Sequence, residues 1–229
     1  MNLKMETKKI YKLLEKQLDS HFDEELNLYS KDNLRKWIPI ALRYMEENYQ
    51  MSSQKRMYNE EMIFNPLFSV TWMIFLYRMS RIAFLDGDIS TADCLYYLNK
   101  IMHSNDWFYQ VDLPMHFLAE HPLGSVLGKA KYGDYLFVYQ GTTIGGNRRG
   151  GVLSYPIMVN NVVLYANSTV LGNTVLGNNV IISANSYLIN ETIPDNSIVF
   201  GCTPNLVIKT KSEDEILKMT SHIWRWGGN

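Results

Sequence analysis

The chain has 229 residues, is 46% hydrophobic and carries a formal net charge of -1, so it holds enough apolar material for one domain or two small ones and is neither disordered nor fibrous. Its 22 basic and 23 acidic residues are mixed in sign, which leaves no broad basic face for a nucleic-acid backbone. The two cysteines, Cys94 and Cys202, lie far apart and outside any metal-binding spacing, which argues against a disulfide framework or a cysteine-held metal and fits a reduced, cytoplasmic setting.

In chain order, Met1 to Lys9 is polar and lacks the apolar centre of a secretory signal, and no stretch approaches the roughly 20 apolar residues of a membrane span. From Lys8 to about Asp106 apolar residues recur three or four apart, as in Ile10, Leu13, Leu14 and Leu18, then Trp37, Ile38, Ala41, Leu42 and Met45. This is a helical period. Asn65-Pro66 precedes the most apolar run, in which Arg78 and Arg81 first interrupt; the pattern predicts a buried helix over 67–85. A further helix is expected over 91–103, capped by Ser90 or Thr91 after the turn Asp86-Gly87-Asp88.

Beyond Val111 the period becomes six. Met158, Leu164, Val170, Leu176, Ile182 and Leu188 are all large and apolar, and Val162, Ser168, Thr174, Val180, Ser186 and Thr192 follow each by four and are small or β-branched. Val126, Tyr132, Val138 and Ile144 extend the spacing upstream, interrupted only over 147–155. Three such hexads close one triangular coil, with one apolar side chain per hexad inside, and stacked coils bury a continuous core. Asn and Gly at 160, 161, 167, 172, 173, 177, 178, 179 and 185 fall where corners demand unusual backbone angles. A β-sandwich would space its strands by about 8 to 12 residues and keep no six-residue register. The expected fold is therefore α+β: an N-terminal α-helical domain (1–107), a left-handed parallel β-helix of hexapeptide repeats (108–209), and a C-terminal helical tail (210–229) whose apolar face is Ile216, Met219, Ile223, Trp224 and Trp226.

Several segments set on this frame resemble the hexapeptide-repeat acyltransferases, and serine O-acetyltransferases in particular. They are Leu76-Tyr77-Arg78, Phe108 to Asp112, Glu120-His121-Pro122-Leu123-Gly124, Gln140 to Gly146, Gly201-Cys202-Thr203-Pro204 and Leu206 to Lys209. The resemblance implies acetyl-CoA as co-substrate, a homotrimer with active sites between subunits, and a helical half able to join trimers into a dimer of trimers. It implies His121 as catalytic base and Asp112 as its carboxylate partner, Gly145 and Gly146 beside the pantetheine arm, and Ala166, Pro204 and Lys209 along the CoA groove. The chemistry suits these types: a hydroxyl is a poor nucleophile near pH 7 until a neutral imidazole removes its proton, and a carboxylate fixes the tautomer of that imidazole. Backbone N–H groups at a glycine pair can meet the charge that builds on a thioester oxygen. His116 is the competing base.

The acceptor side departs from the family pattern. Ser154 and Tyr155 stand where the family has an arginine and a second histidine, which removes a bidentate carboxylate clamp. Arg148 and Arg149 are nearby substitutes, and Glu120 replaces an aspartate. The interval from Asp112 to His121 is about one hexad short. The chain's last residues, Gly-Gly-Asn, lack the terminal isoleucine used for docking on the partner enzyme of cysteine synthesis, so that docking is not expected. These departures make an acetyl-CoA-dependent O-acetyltransferase acting on a sugar hydroxyl the slightly favoured reading, with Glu120, Ser154, Tyr155 and Arg148 lining the acceptor pocket and Tyr139 and Tyr165 as sugar platforms. The alternatives are a serine O-acetyltransferase of cysteine biosynthesis and a non-catalytic scaffold. No metal is expected, because the repeats hold too few histidines for a shared zinc site.

Overall fold

The computed structural model describes residues 3–22, 28–53 and 64–226, with side chains from residue 7 onward; the Gly-Gly-Asn end and part of the predicted helical half, residues 54–63, lie outside the described residues. The chain divides into two compact units. One gathers Met1–Gln50, Gln54–Ser104 and Phe108–Gln110, the other Met51–Ser53, Asn105–Trp107 and Val111–Asn229.

The first unit is helical: α1 (Leu3–Asp19), α2 (Lys31–Gln50), α3 (Ser69–Leu85) and α4 (Ile89–His103). The spaced apolar residues of α1 and α2 form one buried stripe each, and Leu14, Leu18, Ile38, Ala41 and Met45 are fully enclosed. Helix α3 is apolar on nearly every side and is buried from Thr71 through Ser80. Its Arg78 is buried with the guanidinium over Tyr44, and Arg81 donates to the carbonyls of Tyr109 and Gln110 at 3.1 and 3.3 Å. The expected cap of α4 is corrected. Asp88, not Ser90 or Thr91, is the N-cap and accepts from the Thr91 amide at 3.0 Å, since a carboxylate three residues back reaches the exposed amide directly.

The second unit is a left-handed parallel β-helix of about five turns. The first turn holds β1 (Phe117–Glu120), β2 (Val126–Leu127) and β3 (Lys131–Tyr132); the second holds β4 (Leu136–Tyr139), β5 (Thr143–Gly145) and, beyond a hairpin of β6 (Asn147–Arg149) and β7 (Val152–Ser154), β8 (Ile157–Met158). Then come β9 (Val162–Leu164), β10 (Thr169–Leu171) and β11 (Val175–Leu176), followed by β12 (Val180–Ile182), β13 (Tyr187–Ile189) and β14 (Thr192–Ile193). Finally β15 (Ser197–Phe200) is joined antiparallel by β16 (Val207–Thr210), ahead of α5 (Glu213–Thr220).

Three flat faces result. The first stacks β1-β4-β9-β12-β15, the second β2-β5-β10-β13, the third β3-β8-β11-β14. The six large hexad residues from Met158 to Leu188 are all at most 3% exposed. Leu164 pairs with Ile182, Val170 with Leu188 and Met158 with Leu176, so each turn is 18 residues.

Two details differ from the strict count. Leu127 rather than Val126 lies opposite Ile144 and is buried, while Val126 is 39% exposed. The cause is the first corner: Ala119 and Val138 are partners, as are Leu127 and Ile144, so that corner spans eight residues (119 to 127) where the next spans six (138 to 144). Likewise Thr192 faces out and Ile193 takes the inward place opposite Leu176. The corner between third and first face carries Asn161, Asn179 and Asn196 at φ of 55, 57 and 56°, and their amides form a ladder at 2.9 and 2.8 Å.

The predicted tail helix is shorter than expected. A Ser212–Glu215 capping box opens α5, which ends at Thr220. Ile216, Ile223 and Trp224 are buried, whereas Met219 is 46% exposed. Trp224 bridges to Ser52, which ties the tail to Met51–Ser53 of the same unit.

Candidate active site

The long first corner is what presents His121. A strand leaving a hexad corner normally turns within one αL residue; here the two extra residues let His121 adopt φ 49° and stand exposed, and Gly124 makes the second turn at φ 68°. Its carbonyl accepts from the Leu123 amide at 2.7 Å.

Beside it the first face ends in a polar column. The Tyr139 hydroxyl donates to Glu120 Oε2 at 2.7 Å, and the Tyr139 and Tyr165 rings stack at 5.0 Å and 20°. Burial, reinforced by the Glu120 carboxylate, holds both phenols above their ordinary range, so both stay protonated. Ala166 belongs to this same edge, its carbonyl accepting from Asn185 at 2.9 Å.

Asp112 lies exposed in the segment leading to β1. Among the described residues no side chain hydrogen-bonds the His121 ring, so Asp112 and His121 are not joined in the single chain. The competing base is engaged elsewhere. His116 Nδ1 lies 2.6 Å from Asp134 Oδ2, and its ring stacks on Tyr135 at 4.8 Å and 6°.

The second face ends on a different edge, which carries the glycine pair. Gly145 lies opposite Leu171. A Cβ on Gly128 would fall 2.7 Å from the Ile144 oxygen, and one on Gly146 would fall 2.8 Å from Tyr155 Cε1 and 3.0 Å from Leu153 Cδ1. Glycine is therefore required at 128, where the clash is with backbone, while at 146 a larger residue would have to push the Tyr155 and Leu153 side chains aside. Leu171 pairs in turn with Ile189, whose amide donates to Thr203 Oγ1 at 3.2 Å, ahead of the exposed Pro204. Gly145, Gly146 and Pro204 thus share one edge of the prism; Ala166 is on the opposite edge of the same face, and Lys209 sits on β16 with its ammonium 5.3 Å over Phe200.

The loop residues close on themselves. Ser154 Oγ donates to the Asn147 carbonyl at 3.4 Å, and Arg148 Nη1 to that of Gly151 at 2.9 Å. The cation that does face Tyr155 is Lys129, its Nζ 4.9 Å from the ring centroid. Sequence reasoning passed over it. Among the described residues no group of three or more His, Cys, Asp or Glu side chains could hold a metal, and no helix is long and apolar enough to cross a membrane.

The edges separate the expected base from the expected amide donors. Gly128, the neighbour of Gly145, is seven residues (121 to 128) and one corner beyond His121. Within one chain the imidazole and the glycine pair therefore lie on two different edges.

Known proteins resemble this chain in a short stretch of sequence and in fold. No family model matches the chain. A serine acetyltransferase of Synechococcus elongatus is 44% identical over 55 residues, 24% of this chain and 22% of that protein, and one of Synechocystis is 42% identical over an equal span. The chain thus matches about a fifth of the length of these relatives. In three dimensions it resembles a serine acetyltransferase in complex with cysteine at TM-score 0.66, with 18% identity over 82% of this chain and 75% of that one. The Brucella abortus serine acetyltransferase gives 0.62 and 20% over 80% and 77%, and a serine acetyltransferase in complex with CoA gives 0.62 and 18% over 78% and 75%. The chain has the serine acetyltransferase fold.

Proposed function

We propose that this chain is an acetyl-CoA-dependent O-acetyltransferase, with His121 as general base. The observation that carries this is the coincidence of two likenesses to one kind of enzyme: a local 44% identity and a fold match over 82% of the chain at TM-score 0.66. The exposed imidazole on a corner built longer than its neighbours supports the role of His121.

The bound thioester supplies an activated acetyl group, and the residues here fit a narrow arm, because Gly145 leaves the edge flat up to Leu171. His121 takes the acceptor hydroxyl proton as the oxygen bonds to the acetyl carbon; the carbon–sulfur bond breaks, and the same proton passes to the departing sulfur. Backbone amides at Gly145 and Gly146 meet the charge on the carbonyl oxygen, Pro204 and Lys209 hold the distal part of CoA, and Asp112 steadies the imidazolium once substrates draw the site together. Because base and glycine pair lie on separate edges, the reading requires a second copy to bring its glycine edge against this corner, as in a homotrimer.

L-serine is the acceptor that the relatives support best, and the sugar preference drawn from the altered loop has no support among them. A sugar hydroxyl stays as a second reading on one observation, the Tyr139–Tyr165 stack beside Glu120, which offers an aromatic platform next to a carboxylate acceptor. Purified protein incubated with acetyl-CoA and either L-serine or a panel of sugars and nucleotide sugars tests this by CoA release. Turnover of serine is expected; turnover of a sugar alone transfers the assignment to the second reading, and no turnover of either contradicts the enzyme.

A further inference from the structure

The glycine edge has a direction. Gly145, Leu171, Ile189 and Thr203 succeed one another along it, three rungs that cover about 14 Å at about 4.8 Å per rung. Pro204 lies at the far end. Lys129 lies one rung the other way from Gly145, because its neighbour Gly128 sits against Gly145. A thioester arm that runs from Pro204 to the glycine pair leaves Lys129 past its reactive end, on the side an acceptor must enter.

The Lys129 ammonium has the features of a cation held for a ligand. It belongs to an exposed lysine and stands 4.9 Å over the Tyr155 ring, and Tyr155 itself lies against Gly146, where an added Cβ would press on the ring edge at 2.8 Å. The ring modestly favours this placement of the ammonium while giving it no compensating negative charge. Among the described residues no carboxylate is in ion-pair reach of it. Over residues 120–191 the sequence has Lys129, Lys131, Arg148 and Arg149 against Glu120, Asp134 and Glu191; Tyr139 donates to Glu120 and His116 engages Asp134. Arg148 is occupied by its own hairpin carbonyl.

We propose that Lys129, set by Tyr155, binds an anionic group of the acceptor and so selects a hydroxyl compound that carries a carboxylate or a phosphate. This rests on the acetyl-transfer reading for its orientation. It also supplies the positive charge that Ser154 and Tyr155 do not, from a residue 26 positions earlier (129 to 155).

Calorimetric titration of the CoA-loaded full chain with L-serine against serinamide, and with glucose 1-phosphate against glucose, tests it without requiring turnover. Wild type should bind the anionic member of at least one pair 10-fold or more tighter, and Lys129→Gln should abolish that preference while CoA affinity stays unchanged; Lys129→Arg should restore part of it. Which pair responds tells carboxylate from phosphate. An equal preference in Lys129→Gln, no preference in wild type, or a loss of CoA affinity overturns the proposal. Acetyl transfer measured on the same samples judges the enzyme reading separately: Lys129-dependent anion binding without turnover defeats that reading alone, and turnover with no Lys129-dependent preference defeats this one alone.

Discussion

Tyr135 sits at φ 61° on the rung below Asn161, Asn179 and Asn196, a conformation that costs a bulky residue about 1–2 kcal/mol. It also interrupts the amide ladder. Asn161 donates upward to Asn179, but its own Oδ1 is buried without a partner, because the residue beneath has a ring where an amide would donate. Tyr135 is held by other means: His116 stacks on it, and Trp224 and Trp226 approach at 5.4 and 5.1 Å. Tyr135→Asn should therefore relieve strain and complete the ladder while losing aromatic contacts worth about 0.5–1.5 kcal/mol each. A double-mutant cycle by urea unfolding should show coupling of about 1 kcal/mol between Tyr135→Asn and Trp226→Ala, with the asparagine more favourable once Trp226 is gone. Strict additivity would contradict this account of the strained tyrosine.

Among the elements, α4 carries a pH dependence of its own. His103 is buried, and its Nδ1–H donates to Asn99 Oδ1 at 2.8 Å while the Asn99 amide donates to the Met73 carbonyl at 3.0 Å. Burial disfavours the charged ring and lowers its pKa below the usual 6.5. The sign follows from proton linkage. Above pH 6.5 neither state binds the proton; as pH falls below 6.5 the unfolded chain protonates first, so stability declines until the folded pKa is passed and then levels off. Unfolding midpoints at pH 7.5 and 5.5 should fall for wild type and fall less for His103→Gln; an equal fall in both would refute it. At this scale the sequence was informative where a period repeats and silent where it is broken. The hexads from Met158 to Leu188 declare themselves because a rigid six-residue pitch leaves no freedom of register. The eight-residue corner that displaces Val126 is invisible to the same count, since added corner residues change neither composition nor hydrophobicity. The cap of α4 was misread for a related reason: Asp88 looked like part of the turn, and only the backbone path shows which residue precedes the first free amide.

At the scale of the whole molecule, the fold was legible, while the spatial arrangement of the candidate residues was not. His121 and the glycine pair are candidates through the family resemblance, but their separation onto two edges follows from coil stacking, which a linear motif does not encode. Lys129 escaped notice because its partner is a tyrosine one full coil away, and the signal available, a scarcity of carboxylates between Glu120 and Glu191, is compositional. The central claim is that the imidazole on the long corner removes the acceptor proton. Its most direct measurement is acetyl transfer by His121→Ala against wild type, with CoA affinity determined on the same samples. The account predicts a rate lower by about 10²- to 10⁴-fold with CoA affinity retained; an unchanged rate would contradict it.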